Sequence, residues 1–476
     1  MASSQPSADI KIPPLGMGLR IQLSSMMFFQ FAIWGTWFVL LGNYLAAMGF
    51  QGSTIGAVFG TVHLGAIVSS IFVGQIADQY FSSERLMAVL HTIGGALLLW
   101  MSTLTDPTLF YWVALGYALV YSPTLALCNS VAFAHLPDAQ RDFPSVRVLG
   151  TIGWMFVGFI TIPLSIAYFG NTGGEISADA APEYSTLIGG TRFTLPLLQA
   201  SLISFFLGGF CLFLPHTPPT GKAGDGIPFL RALGLLKEFS FAVFYFVSLA
   251  IAVASAFYFS FGGVFLEAGL GTPGAWVSPK LAIGQTCELF LLIALPFFLR
   301  RFGMKWVLTI GMLCWGIRYL LFATNGLIPI TIMGVPWYPI ILLGIALHGI
   351  CFDFFFAAGF IHVENTAPKD IRASAQSLFN FLTYGVGMFA GMTISGWLND
   401  YYSDTSGTNW PAFWLWPGVT AIAFVLSFAV LFREKSTPAV EDVSGPAAAE
   451  TVPVPQTQNE TGITTEQTQM QSEQEI

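Results

Sequence analysis

The 476-residue sequence has few charged residues, which make up 9% of it, whereas apolar residues make up 54% and aromatic residues 15%. Soluble domains usually carry about 25% charged residues. A single soluble core could not bury so much apolar surface, so the composition excludes an ordinary soluble domain. A lipid bilayer supplies a second apolar phase, and we therefore expect an integral membrane protein.

The sequence also lacks the common signatures of enzymes and metal sites. It contains no H-E-x-x-H, G-x-x-x-x-G-K-[ST] or G-x-S-x-G motif and no Cys/His cluster with metal-ligand spacing. The five cysteines lie inside apolar segments, and none pairs in a C-x-x-C spacing. We therefore expect that the protein is not an enzyme and that it has no catalytic residue, no metal and no cofactor. The missing nucleotide-binding loop argues against ATP-driven transport by this chain alone.

The formal net charge of −8 is concentrated near the C-terminus. Residues 436–476 contain seven acidic residues and no lysine or arginine, which leaves the rest of the chain close to neutral. This segment is also rich in Pro, Ala, Thr and Gln and poor in aromatic residues, a composition that is typical of disorder. The overall acidity therefore indicates no acidic or basic partner, and we expect no nucleic-acid partner.

Twelve apolar runs are long enough to cross a bilayer, which takes about 20 residues of helix. They lie roughly at 22–47, 54–77, 86–104, 108–134, 147–168, 194–214, 240–266, 277–299, 305–324, 338–361, 373–398 and 411–432. The first run follows polar, proline-broken residues, so we expect a retained first helix rather than a cleaved signal peptide. The sequence predicts an all-α polytopic membrane protein with twelve transmembrane helices in two six-helix, pseudo-repeated halves.

The distribution of lysine and arginine predicts the orientation of these helices. With the N-terminus inside, fourteen of the eighteen fall in cytoplasmic segments, Arg192 and Lys280 lie outside, and Arg147 and Arg318 lie within spans. Both termini are therefore predicted to be cytoplasmic, which agrees with an even number of spans. We expect a multi-pass protein of the cytoplasmic (inner) membrane that is surrounded by lipid and functions as a monomer.

Five regions divide the chain. They are a cytoplasmic N-terminus (1–20), an N-terminal six-helix half (21–214), a cytoplasmic linker rich in Pro and Gly (215–237), a C-terminal six-helix half (238–433) and a disordered acidic cytoplasmic tail (434–476). The halves echo each other, because the fifth span opens with Arg147 and Thr151 and the eleventh with Arg372 and Gln376. Repeated halves are common in secondary transporters, whose substrates bind between the halves near the midplane.

Ionisable groups inside the spans are candidates for function, because they are costly in a membrane. Gln285 and Glu288 are three residues apart in the eighth span and share a helix face. They could bind a ligand with hydroxyl groups or ring nitrogens, or they could clamp two helices together. Asp353, in the tenth span, lies among aromatic residues, and desolvation disfavours its charged form. We therefore expect proton exchange at Asp353, with a salt bridge to Arg318 as the alternative.

Several other side chains accompany these carboxyl groups. Phe352 could stack on a flat ligand, and His348 is either a proton relay or a satisfied buried histidine. Arg147, Thr151 and Trp154 form one stripe on the fifth span, although Arg147 could simply snorkel to the interface. The first span carries a stripe of Gln30, Trp34 and Trp37 for packing or substrate contact. Asp78 and Arg85, near the end of the second span, are interpreted as a gating or structural ion pair.

Four stretches resemble the bacterial nucleoside:proton symporter family of the major facilitator superfamily. They are 30–37 (QFAIWGTW), 142–153 (DFPSVRVLGTIG), 351–355 (CFDFF) and 371–376 (IRASAQ). The resemblance runs from about residue 18 to 433 and leaves the tail outside. It implies proton-coupled import of nucleosides across the inner membrane by alternating access, with a nucleoside-like small molecule as substrate and a proton as the coupling ion.

The resemblance also implies which residues bind the substrate. It assigns ligand roles to Arg147, Thr151, Gln285, Glu288, Phe352 and Asp353, to which we add Trp154 and His348, and it makes Asp353 and Glu288 candidates for proton coupling. The seventh span departs from the family, whose members can carry amides where this sequence has Ala256 and Phe259. The missing amides should weaken base or ribose contacts. Two alternatives therefore stay open: a symporter of the same fold for another polar metabolite, such as a sugar or purine-like compound, and a non-transporting membrane ligand sensor.

Overall fold

The structure is a computed structural model that describes residues 13–161, 163, 185–188, 191–219, 228–368 and 371–433. Within these ranges, the side chains of 70–80, 139, 140, 144, 160, 161, 185–188, 191, 192, 228, 229 and 373 are not described. The predictions for the first residues of the N-terminus, for part of the linker and for the acidic tail therefore lie outside the described residues.

Six long helices make up the described N-terminal half. They are α1 (Met17–Ala47), α2 (Gly52–Tyr80), α3 (Ser83–Met101), α4 (Pro107–His135), α5 (Ala139–Phe156, extended by a π-helical turn at Val157–Thr161) and α6 (Leu195–Cys211). A short helix (Pro228–Ala232) and a 3₁₀ helix (Leu233–Lys237) follow within the predicted linker. Each long helix overlaps the apolar run that predicted it.

Six more helices make up the C-terminal half. They are α7 (Phe239–Val264, extended by a π-helical turn at Phe265–Gly269), the helices α8 and α9 within Gly274–Ala323, α10 (Pro339–Thr366), α11 (Arg372–Asn380, π-helical Phe381–Gly387 and Met388–Tyr401) and α12 (Trp410–Leu431). Gly303 separates α8 from α9, with a φ of 78° and a ψ of 166°. Glycine adopts a positive φ without the steric penalty that a Cβ imposes, so the chain reverses there.

Polar side chains and prolines fix where several of these helices begin. The side chain of Asp106 accepts a hydrogen bond from Leu109 N at 2.7 Å, directly before Pro107 opens α4. Asn409 caps α12 in the same way through Ala412 N. An oxygen at the N-cap satisfies a backbone donor that has no partner within the helix, and proline suits the first helical position.

The described residues confirm the predicted fold class, with twelve long helices in two groups of six. Eight helical segments in the described part are long and apolar enough to cross a membrane, and one of them, Gly274–Ala323, contains both α8 and α9. The remaining long helices are α3, α5 and α6. We call the end of the bundle where α1 begins the inner end, because it is the predicted cytoplasmic end, and the opposite end the outer end.

Three small antiparallel hairpins lie in loops at the outer end. They are β1 (Ser185–Ile188) with β2 (Thr191–Thr194), β3 (Ile330–Ile332) with β4 (Val335–Trp337), and β5 (Ser403–Asp404) with β6 (Gly407–Thr408). The tenth span, predicted from about residue 338, begins at Pro339, directly after the β3–β4 hairpin.

Glu84 ties the start of the linker to α3 at the inner end. Its buried carboxylate accepts hydrogen bonds from His216 Nδ1 at 2.8 Å and from Thr217 N at 2.9 Å. Burial acts to raise the pKa of Glu84, but the hydrogen bonds, led by the one from His216, outweigh it and bring the pKa below its usual range. The carboxylate therefore stays charged and holds the chain where it leaves the N-terminal half.

Candidate substrate-binding site

A cavity lies between the two halves, enclosed by α1 and α5 on one side and by α7 and α8 on the other. Its lining consists of Phe38, Val39, Trp154, Met155, Gly158, Tyr258, Phe259, Gly263, Ser278, Leu281, Ala282 and Gln285. Trp154 and Gln285 were predicted site residues from opposite halves, and the structure places both on this cavity. Such a location is typical of substrate sites in transporters built from repeated halves.

Aromatic rings form walls of the cavity on both sides. In the N-terminal half, Trp154 packs edge-on against Trp34, with ring centroids 5.4 Å apart, and lies 6.2 Å from Phe38. In the C-terminal half, Tyr258 and Phe259 line the cavity and contact each other. Aromatic faces of this kind can stack on a flat heterocycle, since ring pairs favour offset or edge-on contacts.

Two acidic side chains and a histidine lie together in the C-terminal half. Glu288 Oε2 is 3.6 Å from His348 Nε2, which is longer than a hydrogen bond. His348 is only 2% exposed, and its Nδ1 has no hydrogen-bond partner among the described residues. Asp353 is 1% exposed, and its Oδ2 likewise has no partner there. These polar atoms are available to a ligand, a proton or water.

Electrostatic interactions link these carboxyl groups to the other half. Arg147 of α5 interacts with Glu288 of α8, and Glu288 interacts with Asp353 of α10. The Arg147 guanidinium lies 4.0 Å from the centroid of the Phe31 ring, so the side chain is held within the bundle. Thr151 lies between Arg147 and Trp154 on α5 and is half-buried. The structure therefore brings the predicted cation and carboxyl groups into one electrostatic environment.

Asp353 opens a π-helical turn, Asp353–Ala357, in the middle of α10. Such turns occur frequently at functional sites, because the extra residue redirects neighbouring side chains. Phe352, just before it, packs against His348 at 5.8 Å and against Phe356 at 5.1 Å. Tyr384 of α11 packs 4.7 Å from Phe356 and interacts electrostatically with Glu288 and Asp353.

The alternative reading of Asp353, a salt bridge to Arg318, is wrong for the described structure. No ion pair joins these two side chains there. Arg318 is fully buried, with its guanidinium 4.3 Å from the Tyr258 ring and 4.6 Å from the Trp315 ring. Its Nε donates to Gly344 O at 2.9 Å, whereas Nη1 and Nη2 have no hydrogen-bond partner among the described residues. Arg318 therefore stands behind the site, in contact with two rings that also pack against His348.

Gln30 and Trp34 of the α1 stripe have different roles in the structure. Gln30 is fully buried and donates to Thr124 Oγ1 at 2.7 Å, while its Oε1 faces His91 Nε2 at 2.9 Å. It therefore clamps α1 to α3 and α4 and does not line the cavity. Trp34 instead supports the cavity through its contact with Trp154.

The two altered positions of the seventh span have different surroundings. Phe259 lines the cavity, and its ring lies 6.0 Å from that of His348. Ala256 is fully buried and faces Gly391 of α11, where it leaves no room for a larger residue. Of the two positions, Phe259 is therefore the one that lies on the cavity wall.

The predicted pair of Asp78 and Arg85 is only partly described. The side chain of Asp78 lies outside the described residues. Arg85 is exposed, and its Nε lies 3.9 Å from Glu84 Oε1. Its role in gating therefore stays a prediction.

Polar contacts join the two halves at the outer end, and we call this set the outer gate. Asn43 of α1 donates to Gly263 O at 3.0 Å and also to the Glu267 carboxylate. The Asp400 carboxylate of α11 accepts hydrogen bonds from the first backbone N–H groups of α2, Gly52 N at 2.5 Å and Ser53 N at 2.9 Å. A carboxylate is favourable at a helix N-terminus, where unpaired N–H groups and the helix dipole attract negative charge.

Further contacts hold the halves together between the gate and the site. Ser278 Oγ of α8 donates to Gly158 O of α5 at 2.7 Å. His63 Nδ1 of α2 lies 2.7 Å from Tyr384 O of α11. Together with the outer gate, these two contacts join the two six-helix groups in the described part of the chain.

Comparison with known proteins identifies the family. The profile of the Nucleoside H+ symporter family matches residues 17–437. The chain belongs to this family. It is 36% identical over 430 residues to the putative nucleoside transporter YegT of Escherichia coli (strain K12), covering 88% of this chain and 95% of that one. It is 30% identical to the xanthosine permease of the same organism, covering 87% of this chain and 95% of the permease.

Solved structures support the same family and confirm the predicted fold. The crystal structure of the nucleoside transporter NupG matches with a TM-score of 0.74 at 28% identity, covering 88% of this chain and all of that one. A bacterial homolog of the lysosomal transporter Spinster matches with a TM-score of 0.63 at 12% identity, a likeness that shows the fold alone. The chain is therefore a multi-pass transporter of the major facilitator fold and not an enzyme.

Proposed function

We propose that this family member imports nucleosides across the cytoplasmic membrane together with protons, by alternating access. It would do so as a monomer with both termini in the cytoplasm. The observation that carries the proposal is the arrangement of Arg147, Glu288 and Asp353. Arg147 comes from the N-terminal half and the two carboxyl groups come from the C-terminal half. Glu288 interacts electrostatically with both of the other residues. The same helices, α5 and α8, also form walls of the aromatic-lined cavity between the halves.

The substrate would be held by hydrogen bonds at one end and by ring stacking at the other. Gln285 and Glu288 offer an amide and a carboxylate on one face of α8, which suits ribose hydroxyl groups and base nitrogens. Thr151 adds a hydroxyl group from the opposite half. Trp154 and Phe259 supply aromatic faces for the base. Buried polar groups that match a ligand discriminate strongly against analogues that leave them unpaired.

Asp353 would carry the coupling proton, with Glu288 as its partner. An isolated charge is costly to bury, and Asp353 has an oxygen without a hydrogen-bond partner among the described residues. Proton binding would neutralise Asp353 and so remove the charge before the halves rearrange. Proton release on the other side would restore the charge and reset the site.

Alternating access would open the outer gate and close the inner end around the bound substrate. In the described structure the outer gate is closed, because α1 contacts α7 and α2 contacts α11 at that end. Rocking of the two halves about the central site is the usual motion in transporters of repeated architecture.

Uptake by the purified protein in liposomes tests this proposal. We expect labelled nucleosides to accumulate when the outside is acidic, and we expect a proton-dissipating agent to abolish the accumulation. Competition by a panel of unlabelled nucleosides, purine-like compounds and sugars would identify the preferred substrate. Accumulation of a sugar instead would favour a different symporter of the same fold. Measurable binding without any uptake would favour a membrane sensor and contradict the proposal.

A further inference from the structure

The β3–β4 hairpin exposes an unusually apolar stretch at the outer end. Every residue from 327 to 334 (LIPITIMG) is exposed, and only Thr331 among them is polar. The exposed fractions reach 76% for Ile328 and 88% for Met333, with 53% for both Ile330 and Ile332. No charged residue occurs between Arg318 and Asp353. Exposed apolar patches of this kind mark interaction sites.

The root of the hairpin is firmly attached to the bundle. Lys280, which is 2% exposed, donates to Pro336 O at 2.6 Å and to Thr272 Oγ1 at 2.9 Å. The Trp337 ring packs against Trp276 at 5.9 Å. These contacts all involve β4 or the α7–α8 loop, so the hairpin is held on the β4 side while β3 stays uncovered.

The exposure of β3 argues against a lid over the cavity. Successive residues of a strand point to opposite faces, yet Ile330, Thr331 and Ile332 are all exposed. A lid would bury one of these faces against the helix ends below it. The hairpin therefore projects away from the bundle.

We propose that this hairpin inserts its apolar tip into the lipid leaflet at the outer end, where headgroups meet acyl chains. Tryptophan is enriched at that depth of a membrane, and Trp276 and Trp337 lie at the root of the hairpin. The adjacent helices continue the lipid-facing surface, since Ile317 of α9 and Leu343 of α10 are also exposed. The exposed stretch contains no aromatic residue and no arginine, which protein interfaces favour.

The β5–β6 hairpin provides a matched control within the same chain. It lies at the same end and is similarly exposed, but its residues 403–408 (SDTSGT) are polar or small. Polar residues are costly to transfer into lipid, so this hairpin would stay in water, whereas the apolar β3–β4 tip would enter the lipid. The two hairpins therefore allow the same label to be compared in opposite environments.

Fluorescence quenching in liposomes tests the insertion. Met333→Cys and, as the control, Ser406→Cys are made in full-length protein whose five native cysteines are replaced, and each is labelled with an environment-sensitive fluorophore. We expect the label at 333 to be quenched by lipids that carry a spin label near the headgroup end of the acyl chain, as at a depth of about 5–10 Å. It should resist aqueous iodide, which should quench the label at 406.

Two results would overturn the proposal. Iodide quenching at 333 as strong as at 406 would place the hairpin in water. Protection of 333 from both iodide and the lipid-borne quencher would show that protein covers it, either a second copy of the chain or the rest of the bundle. When Ile328, Ile330 and Ile332 are all replaced by serine, the label at 333 should move into water and become quenched by iodide.

Discussion

Arg318 of α9 is fully buried next to the candidate site. A salt bridge to Asp353 of the tenth span was the alternative interpretation of this arginine. The structure instead surrounds its guanidinium with the Tyr258 and Trp315 rings and a backbone carbonyl. Cation–π contacts of this kind strengthen when they are desolvated. Because both rings also contact His348, Arg318 supports the shape of the candidate site from behind.

Replacing Arg318 should therefore loosen the C-terminal half. We expect Arg318→Met to lower the free energy of unfolding by about 1–3 kcal/mol, since it leaves the buried Gly344 carbonyl without its donor. Arg318→Lys should not restore stability, because lysine lacks the planar group that stacks on both rings. Thermal unfolding of purified protein in detergent would measure both effects.

Arg301 provides the control for this prediction. It is exposed at the inner end, and Arg301→Met should leave the unfolding temperature nearly unchanged. A stable Arg318→Met variant would show that the guanidinium does not support the packing around it.

Single side chains were predicted well when their role followed from burial and poorly when it depended on distant partners. The burial of Asp353 was expected from the sequence. Asp353 interacts electrostatically with Glu288, and Glu288 interacts with Arg147. Their roles in substrate binding and proton coupling stay predictions. By contrast, Asn43 and Glu267 are 224 residues apart, and nothing in either segment indicates their contact. Glu267 was missed because it lies just beyond the predicted seventh span.

Among the helices, the pairing of α2 with α11 defines the closed state of the outer gate. The two helices approach through glycines, since a Cβ on Gly56 would collide with Met392 O and one on Gly396 with Gly52 O. Small residues allow this close backbone approach between membrane helices. A larger residue at Gly56 can therefore be accommodated only if the two helices separate.

Gly56→Leu should shift the protein towards an outward-open state. Forcing a leucine side chain into such a close helix contact costs about 1–3 kcal/mol. This free energy corresponds to roughly a 5- to 150-fold shift of the equilibrium from the closed towards the open gate. A cysteine placed at Met155, on the cavity lining, should then react faster with a membrane-impermeant thiol reagent added at the outer side. The measurement requires protein without its five native cysteines.

Gly116→Leu is the matched control, because a Cβ at Gly116 has no neighbour within 4 Å. It should leave the reactivity of the cysteine unchanged. Equal reactivity in the two leucine variants would contradict the role assigned to the α2–α11 contact.

Helix positions were predictable because hydropathy is a local property of the chain, and all twelve predicted spans overlap helices in the described structure. The π-helical turn at Asp353 and the reversal at Gly303 were not predicted, since both arise from backbone geometry that apolar content does not encode. The three hairpins were missed for a related reason: strands of two to four residues are too short to show an alternating pattern.

At the scale of the whole molecule, the described residues form two six-helix halves with a charged and aromatic site between them. The sequence was enough to predict the two halves and the family, and two of its predicted site residues, Trp154 and Gln285, line the cavity. It could not predict which end of the molecule is closed, because that depends on contacts such as the one between Gly52 and Asp400, which are 348 residues apart. In the described structure, the outer end is the closed one.

Proton coupling through Asp353 is the central proposal, and Asp353→Asn isolates it. An amide keeps the size and polarity of the side chain but cannot gain or lose a proton. Asp404→Asn, on the exposed β5–β6 hairpin, is the control for the same chemical change. Both variants should be compared with the unchanged protein in liposomes that carry an imposed proton gradient.

The decisive measurement is the steady-state accumulation ratio of labelled nucleoside in these liposomes. We predict that Asp353→Asn abolishes uphill accumulation while still binding and exchanging nucleoside down its gradient, and that Asp404→Asn accumulates nucleoside normally. Normal uphill accumulation by Asp353→Asn would contradict proton coupling through this residue.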